Sequence, residues 1–506
     1  MASRKESLTR GRLDKLNRIL DRNINPYPPR YQRTHTAQEA AALFEDLERK
    51  NEGGAVVRVA GRIMAERGMG KATFLDIRDG SGKVQVHLRK DMLGEEAYDL
   101  LHDLDIGDFI GVTGRLFRTR TGEITVQASE FEILCKSLQP LPEKWHGLTD
   151  TDKRYRQRYL DLISSPQVKD IFTTRSRLIA SLRRFMDGRG FVEVETPVLL
   201  PVAAGAMARP FSTYHNTLEQ ELYLRIALEL YLKRLIVGGL DKVYEIGRIF
   251  RNEGISIKHN PEFTMMESYE AYADYNDVME MLEQMVCHVA NEVSGSLQIP
   301  HGEGTIDLTP PWQRVQLREV LLERCGVDFL DERYRDVDTL GQVAARLGVP
   351  LEQDMSWGRL VDKLFSTFVE PALIQPTFIV DYPIEISPLA KSKPDDPRLV
   401  ERFECFMGGI EIANAFTELN DPIEQRRRFE EQERMRHEMG EEEVERLDED
   451  FLAAIEHGMP PTGGLGVGID RLVMIMTNQQ SIREVVLFPQ LRAPVSRAID
   501  DEASIP

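Results

Sequence analysis

The run Lys242–Tyr272, KVYEIGRIFRNEGISIKHNPEFTMMESYEAY, limits the fold more than any other part of the chain. An apolar stretch containing Val243, Glu245 and Ile246 reaches Phe250 and reads as a buried strand. Asn252, Gly254 and Asn260–Pro261 mark a polar turn region. Phe263, Met265, Glu267 and Tyr269 then fall on one face of a second strand. Two antiparallel strands with a basic connecting loop would form a shelf for a phosphorylated ligand.

A chain of 506 residues exceeds one ordinary core, so two or three domains are expected. Cys135, Cys287, Cys325 and Cys405 show neither metal-ligand spacing nor a disulfide pattern, which suits a reducing compartment. No apolar run approaches spanning length and no signal peptide opens the chain, so a cytoplasmic protein without a membrane partner is expected. The net charge of −19 is uneven: residues 1–150 carry about +1, and the acidity lies in the remainder. This excludes indiscriminate coating of DNA but leaves room for a structured RNA docked through the N-terminal third.

Residues 1–54 read as a helical extension, broken at Asn25–Pro29. Its basic residues would either touch an RNA backbone or form a solvated helix face. Val56–Ile63, Ala72–Asp79, Lys83–Leu88, Phe109–Gly114 and Ile124–Ala128 read as strands, with a helix over Asp91–Leu104. Five strands with a helix after the third is the order of an OB-fold barrel, which binds single-stranded oligonucleotides by stacking and base-edge contacts. Phe74 and Gln85 would lie on neighbouring strands of its binding face; plain core for Phe74 and a solvated face for Gln85 are the alternatives.

Phe250–Glu253 followed by His259–Thr264 resembles motif 2 of the class II aminoacyl-tRNA synthetases. The helix over 170–188, the strand Phe191–Glu195 and Thr196–Pro197 resemble motif 1, which builds a homodimer interface in that family. GLGVGIDRL, ending at Leu472, resembles motif 3. RYLDL at 158–162 and the ending Leu487–Pro489 are similar too, and Asp381–Lys391 is close to a segment of the lysine-specific members. The resemblance implies an α+β multidomain protein: an OB-fold β-barrel, then a class II catalytic domain built on an antiparallel sheet flanked by helices. Expected bounds are 55–140 for the barrel, 141–162 for a linker, 163–495 for the catalytic domain with a helical insertion at about 275–375, and 496–506 for an acidic tail.

The resemblance also implies the site. Arg251 and Arg471 would grip ATP and carry catalysis, with Glu253, His259, Phe263 and Gly466 completing the nucleotide site; Arg471 would stack under adenine opposite Phe263. A planar guanidinium suits two phosphate oxygens at once. Glu404 and Glu411 would hold Mg²⁺, provided Gly408 and Gly409 turn the chain between two strands. Ala204–Phe211 resembles a loop that closes over the amino acid, departing from the family at Ala204 and Met207; its Gly205 would meet the substrate α-amino group with Glu229. Phe74, Gln85 and Glu123 would read the anticodon of tRNA(Lys).

Glu267, Tyr269 and Glu418 would meet at one point, with Asn414 and Phe416 on the same strand face as Glu418. Two carboxylates and a phenol suit a terminal ammonium, a point charge with three donors, and Phe416 would flank an aliphatic stem. A substrate carboxylate would be repelled there. The expected activity is therefore an ATP-dependent lysine–tRNA ligase. An aspartate- or asparagine-specific relative, a ligase attaching lysine to a protein, and a non-catalytic RNA-binding paralogue are the alternatives.

Overall fold

The computed structural model describes residues 4–142, 148–202, 205, 208–351, 355–438 and 447–492. They fall into two compact units, Met1–Gly147 and Leu148–Pro506. The expected tail at 496–506 lies outside the described residues.

In the first unit, α1 (Arg4–Asp21) and α2 (Ala37–Arg49) precede β1 (Val56–Met69), β2 (Ala72–Arg78), β3 (Lys83–Arg89), β4 (Phe109–Arg118) and β5 (Ile124–Cys135). The strands close a barrel in the order β1-β2-β3-β5-β4. Leu75, Ile77, Val84, Val86 and Leu88 alternate into the core, which leaves Phe74, Asp76, Gln85 and His87 together on the outer face. The expected helix over Asp91–Leu104 is interrupted. Gly94, at φ 84°, separates α3 (Lys90–Leu93) from α4 (Glu95–Asp99), and a 3-10 turn follows.

Part of the basic charge of α1 is turned inward. Arg12 donates to the main-chain oxygens of Ile106 at 2.8 Å and Ser137 at 3.0 Å. Lys15 pairs with Asp105 at 2.8 Å and Arg18 with Asp103 at 2.7 Å. Beneath them the fully buried Lys136 pairs with Asp108 at 2.8 Å. These cations pair with the barrel's own acidic segment.

The second unit opens with α5 (Thr151–Arg156), α6 (Arg158–Ser164) and α7 (Pro166–Gly188). The second half of the stretch expected as linker, from Thr151, is thus helical. β6 (Val192–Glu193) is followed by β7 (Leu199–Leu200), β8 (Ser212–His215) and β9 (Gln220–Leu224), which form a small sheet. Then come α8 (Glu229–Val237), β10 (Lys242–Phe250), β11 (Glu262–Ala271), α9 (Tyr275–Ser294), β12 (Gln298–His301), β13 (Gly304–Asp307) and β14 (Gln313–Gln316). α10 (Leu317–Cys325), α11 (Val337–Arg346) and α12 (Trp357–Phe368) lead to β15 (Thr377–Pro383), β16 (Leu399–Met407) and β17 (Ile410–Thr417). α13 (Pro422–Glu438), α14 (Glu449–Glu456), β18 (Thr462–Gly468), α15 (Ile469–Met476) and α16 (Ile482–Val485) complete it.

The main sheet runs β14-β15-β16-β17-β18-β11-β10-β6. It is antiparallel except at its ends, where β14 runs parallel to β15 and β6 to β10. The region expected as a helical insertion is therefore not wholly helical: β14 pairs into the sheet, and α9 belongs to its core. α9 begins at a capping box between Asp274 and Asp277 and ends at Gly295 in the left-handed region. Its Val278, Met281, Leu282, Met285 and Val289 pack with Leu178, Leu182 and Met186 of α7 under one face of the sheet. α10–α12 share a separate core with β15 and β16. The other face of the sheet is left for charge.

The entry segment holds the C-terminal one. Arg158, fully buried, donates to the main-chain oxygens of Arg483 at 2.7 Å and Leu487 at 3.1 Å and pairs with Asp161 at 2.8 Å. Asn260 Oδ1, at the base of the β10–β11 loop, accepts from the Gln490 N–H at 3.3 Å.

Replacing Arg12 by alanine strands two carbonyls, while the Ser137 hydroxyl keeps its bond to Gln139 O. We expect the local opening free energy of α1 to fall by about 1–3 kcal/mol. Hydrogen exchange on the full chain would show lost protection in α1, with the second unit unchanged.

Candidate active site

A cavity of about 750 Å³ lies on the charged face of the sheet in the second unit. β11 supplies its centre. Phe263, Met265, Glu267 and Tyr269 share the face read from the sequence and line the cavity. Glu267 Oε2 accepts from the Tyr269 hydroxyl and Oε1 from the Leu228 N–H, both at 3.1 Å. Burial, reinforced by nearby Glu229, pushes the Glu267 carboxyl up to about 7.

Glu229 and Glu418 were expected to wait for an amino acid, but a residue absent from that reading already holds both. Lys233, one turn after Glu229 on α8, has a fully buried side chain. Its Nζ donates to Glu229 Oε1 at 2.6 Å and contacts Glu418 Oε2. A carboxylate that deep needs a counter-charge even in the empty protein. Burial opposes the Lys233 charge, yet Glu229 and Glu418 outweigh it and raise the ammonium above its usual range. Burial also raises the Glu418 carboxyl, against the pull of Lys233. Among the described residues Glu418 Oε1 has no hydrogen-bond partner; it faces Gly464, where a Cβ would sit 1.9 Å from it and 2.7 Å from Tyr269 Cε1. The signal in the sequence was the Glu-to-Lys spacing of four on a helix whose one other charged residue is Arg234.

Gly408 and Gly409, at φ 62° and 71°, turn β16 into β17 as expected. Regular alternation would still put Glu411 on the opposite face from Asn414. A bulge corrects this: Cys405 and Phe406 pair with Ala413 and Glu411, so Ile412 is the extra residue. Glu404 and Glu411 consequently line the same cavity. Tyr382 donates to Glu404 at 2.9 Å, and Arg402 pairs with the same carboxylate. Burial raises Glu404, Arg402 opposes this, and Glu411 adds to the rise. In Glu411 burial is outweighed by Arg471, which holds the carboxyl low. Two carboxylates that repel across a small space, both facing the cavity, fit a divalent cation sharing its remaining ligands with a polyphosphate.

Arg402 was also missed. It donates to Asn414 Oδ1 at 3.1 Å and lies 4.4 Å from the centroid of Tyr382 and 5.5 Å from that of Phe416. Asn414 and Phe416 share the cavity face as expected, but each is already engaged by this guanidinium.

The nucleotide residues also gather here. Arg251 lies over the Phe263 ring, 5.3 Å from its centroid, and donates through Nε to Ile226 O at 3.2 Å. Arg471 pairs with Glu411 at 2.9 Å and reaches His259 Nε2 at 3.2 Å. Without an anionic ligand these groups compensate one another. Arginine can only donate, so His259 Nε2 accepts and the ring proton sits on Nδ1, 2.9 Å from Ser256 Oγ. Burial and Arg471 lower His259, keeping it neutral at neutral pH. Asp470 accepts from the Thr264 N–H at 2.7 Å and pairs with Arg175, fixing the start of α15 against β11 and α7. Glu253 lies exposed on the loop and lines the cavity, as do Gly205 and Gly466. Gly205 adopts φ 96°, and a Cβ there would touch Ala227 and Leu230 at 3.4 Å. Ala204 and Met207, the departures from the expected loop, lie outside the described residues. The charged run after Asp421 is not simply solvated, because buried Arg428 donates to Ala390 O at 2.7 Å.

On the barrel, Phe74 stacks flat on His87, with centroids 4.3 Å apart and planes 6° from parallel. Gln85 is buried rather than solvated, and Thr125 donates to its Oε1 at 2.9 Å. Glu123 pairs with Lys83 at 2.9 Å on the surface of the barrel. His87, beside Phe117 at 6.0 Å, extends the aromatic surface and had no expected role.

A family model for class II tRNA synthetases (D, K and N) matches residues 150–492. One for the OB-fold nucleic acid binding domain matches residues 57–134. The fold and site define a class II tRNA synthetase with an N-terminal OB-fold domain. A lysine–tRNA ligase of Dehalococcoides mccartyi is 57% identical over 488 residues, covering 96% of this chain and 98% of the relative. That of Carboxydothermus hydrogenoformans is 54% identical over 485 residues, covering 96% and 98%. That of Bacillus subtilis is 52% identical over 483 residues, covering 95% and 96%. The chain belongs to the lysine–tRNA ligase family and is an aminoacyl-tRNA ligase. Among the described residues no helix is long and apolar enough to cross a membrane.

Gly464 is the point where added volume meets the site directly. Gly464→Ala should push Glu418 and Tyr269 apart and lower amino-acid activation at least about 100-fold, while overpacking costs about 1–3 kcal/mol. Pyrophosphate exchange and a thermal melt on the same preparation measure the two effects.

Proposed function

We propose that the chain activates L-lysine with ATP and transfers the lysyl group to the 3′ end of tRNA(Lys). The observation that carries this reading is the surplus charge at one end of the cavity. Glu229, Glu267 and Glu418 share that end with one ammonium, Lys233, so two negative charges are left over once all three carboxyls are ionised. Lysine brings two ammonium groups. Its ε-ammonium would meet Glu418 Oε1, Glu267 and the Tyr269 oxygen, and its α-ammonium Glu229 with the Gly205 carbonyl. Aspartate would add a third negative charge, and asparagine would leave one carboxylate uncompensated.

At the other end Arg251 would leave the Phe263 face to grip the α-phosphate, and adenine would take its place on the ring. Arg471 would exchange Glu411 for phosphate oxygens, with neutral His259 beside it. Gly466 would let the nucleotide lie close to β18, and Glu253 would order the loop over it. Glu404 and Glu411 would hold Mg²⁺, which when bound neutralises phosphate charge. A lysine carboxylate oxygen attacks the α-phosphorus in line, and the bond to the pyrophosphate oxygen breaks. A ribose hydroxyl of the terminal tRNA adenosine then attacks the acyl carbon, and AMP leaves. No protein nucleophile is required; positioning and charge neutralisation carry both steps.

The exposed apolar residues Val192, Val198, Leu199, Tyr214 and Leu218 around the motif 1 segment support a homodimer through that face. The Phe74–His87 stack and Gln85 support anticodon binding on the barrel. A cytoplasmic location is part of this proposal, supported by the tRNA substrate it assigns.

Pyrophosphate exchange with each amino acid in turn, followed by charging of total tRNA, tests the activity. Exchange with aspartate and none with lysine would overturn it. Because burial raises Glu267 and Glu418, the empty site should hold protons near pH 7 that the bound diammonium expels. Lysine affinity should therefore rise from pH 6 to pH 8. Calorimetry in buffers of different ionisation enthalpy would register proton release. Phe74→Ala should leave exchange unchanged and weaken tRNA in the charging reaction by about 1–3 kcal/mol, the worth of one stacked base.

A further inference from the structure

We infer that Lys233 is a positioning residue that sets amino-acid specificity by holding Glu229 and Glu418 in place and cancelling one of the three carboxylate charges at the end of the cavity. The inference rests on the lysine reading above and deepens it. Lys233 stands behind the two glutamates: Glu229 and Glu418 line the cavity, whereas Lys233 does not, and its Nζ is directed at their carboxylates. What it does is fix them. Glu229 stands at the first residue of α8, and Glu418 follows β17, paired by an isolated bridge with Ala390. These supports are far apart in sequence, and the ammonium is the group that joins the two carboxylates. Each keeps one oxygen outside the Lys233 contacts: Oε2 of Glu229 and Oε1 of Glu418. Those are the atoms available to the α- and ε-ammonium groups.

The charge count makes the same point. The groups facing Lys233 and its partners are Glu229 on α8, Glu267 and Tyr269 on β11, Glu418 after β17, and Arg251 at the mouth of the loop. Without Lys233 the inner end would carry three carboxylates against two substrate ammoniums. One carboxylate would take up a proton, and a protonated carboxyl loses its charge-assisted bond to the ligand. A second, neutral acceptor in place of the ammonium cannot restore the balance.

The test compares the full-length protein with Lys233→Gln in lysine-dependent pyrophosphate exchange. The KM for lysine should rise about tenfold or more, the effect of weakening one charged hydrogen bond, while the KM for ATP stays within about twofold. If Lys233→Gln does not fold at neutral pH, Lys233→Met is prepared at pH 6, where the released carboxylates can be protonated, and the same ratio is measured. Parallel changes in both KM values, no change in either, or failure of both variants to fold would overturn the inference and leave Lys233 as a support of the fold. Loss of lysine-dependent exchange in the unaltered protein would instead overturn the functional reading.

Discussion

Buried charge must be compensated before any ligand arrives, and that requirement organises the catalytic unit. Glu229 and Glu418 lean on Lys233, Glu267 on the Tyr269 hydroxyl and a backbone N–H, Glu404 on Arg402 and Tyr382, and Glu411 on Arg471. Each contact is one a substrate could replace or complete. The cavity thus carries charges that already compensate one another, and the Arg471–Glu411 pair is one that a polyphosphate would exchange.

The sheet makes this separation of roles possible. Its one face is sealed by α7, α9 and α15 in an apolar core, so Met266 and Tyr244 point into it. The neighbours Met265 and Glu267 point the other way. A single slip of register would exchange the two sets, and nine consecutive residue pairs between β10 and β11 hold the register. At β17 the same alternation is broken deliberately by one inserted residue, which returns Glu411 to the face of Glu404.

Much of this was legible from the sequence because the informative residues lie in strands of regular period. Phe263, Met265, Glu267 and Tyr269 needed only alternation, and Gly408–Gly409 announced their turn. The barrel order followed from five short strands with turns between them. What stayed hidden depends on tertiary pairing. The bulge at Ile412 has no local mark, since nothing in Glu411–Ala413 differs from an ordinary strand. Lys233 and Arg402 look like helix and strand surface until their neighbours are in place. β14, four residues long, was lost among helices because so short a strand carries almost no periodic signal. The inward face of α1 was ambiguous because its acidic partners lie about 90 residues away.

The grip of Arg158 on the carbonyls of Arg483 and Leu487 has a consequence for the order of assembly. That guanidinium is made more than 300 residues before its partners, and it is buried only once they arrive. The turn at Asn260 likewise waits for Gln490. During synthesis the loop between β10 and β11 gains this anchor only after Gln490 has been made, so the proposed nucleotide site is among the last parts of the catalytic unit to be braced.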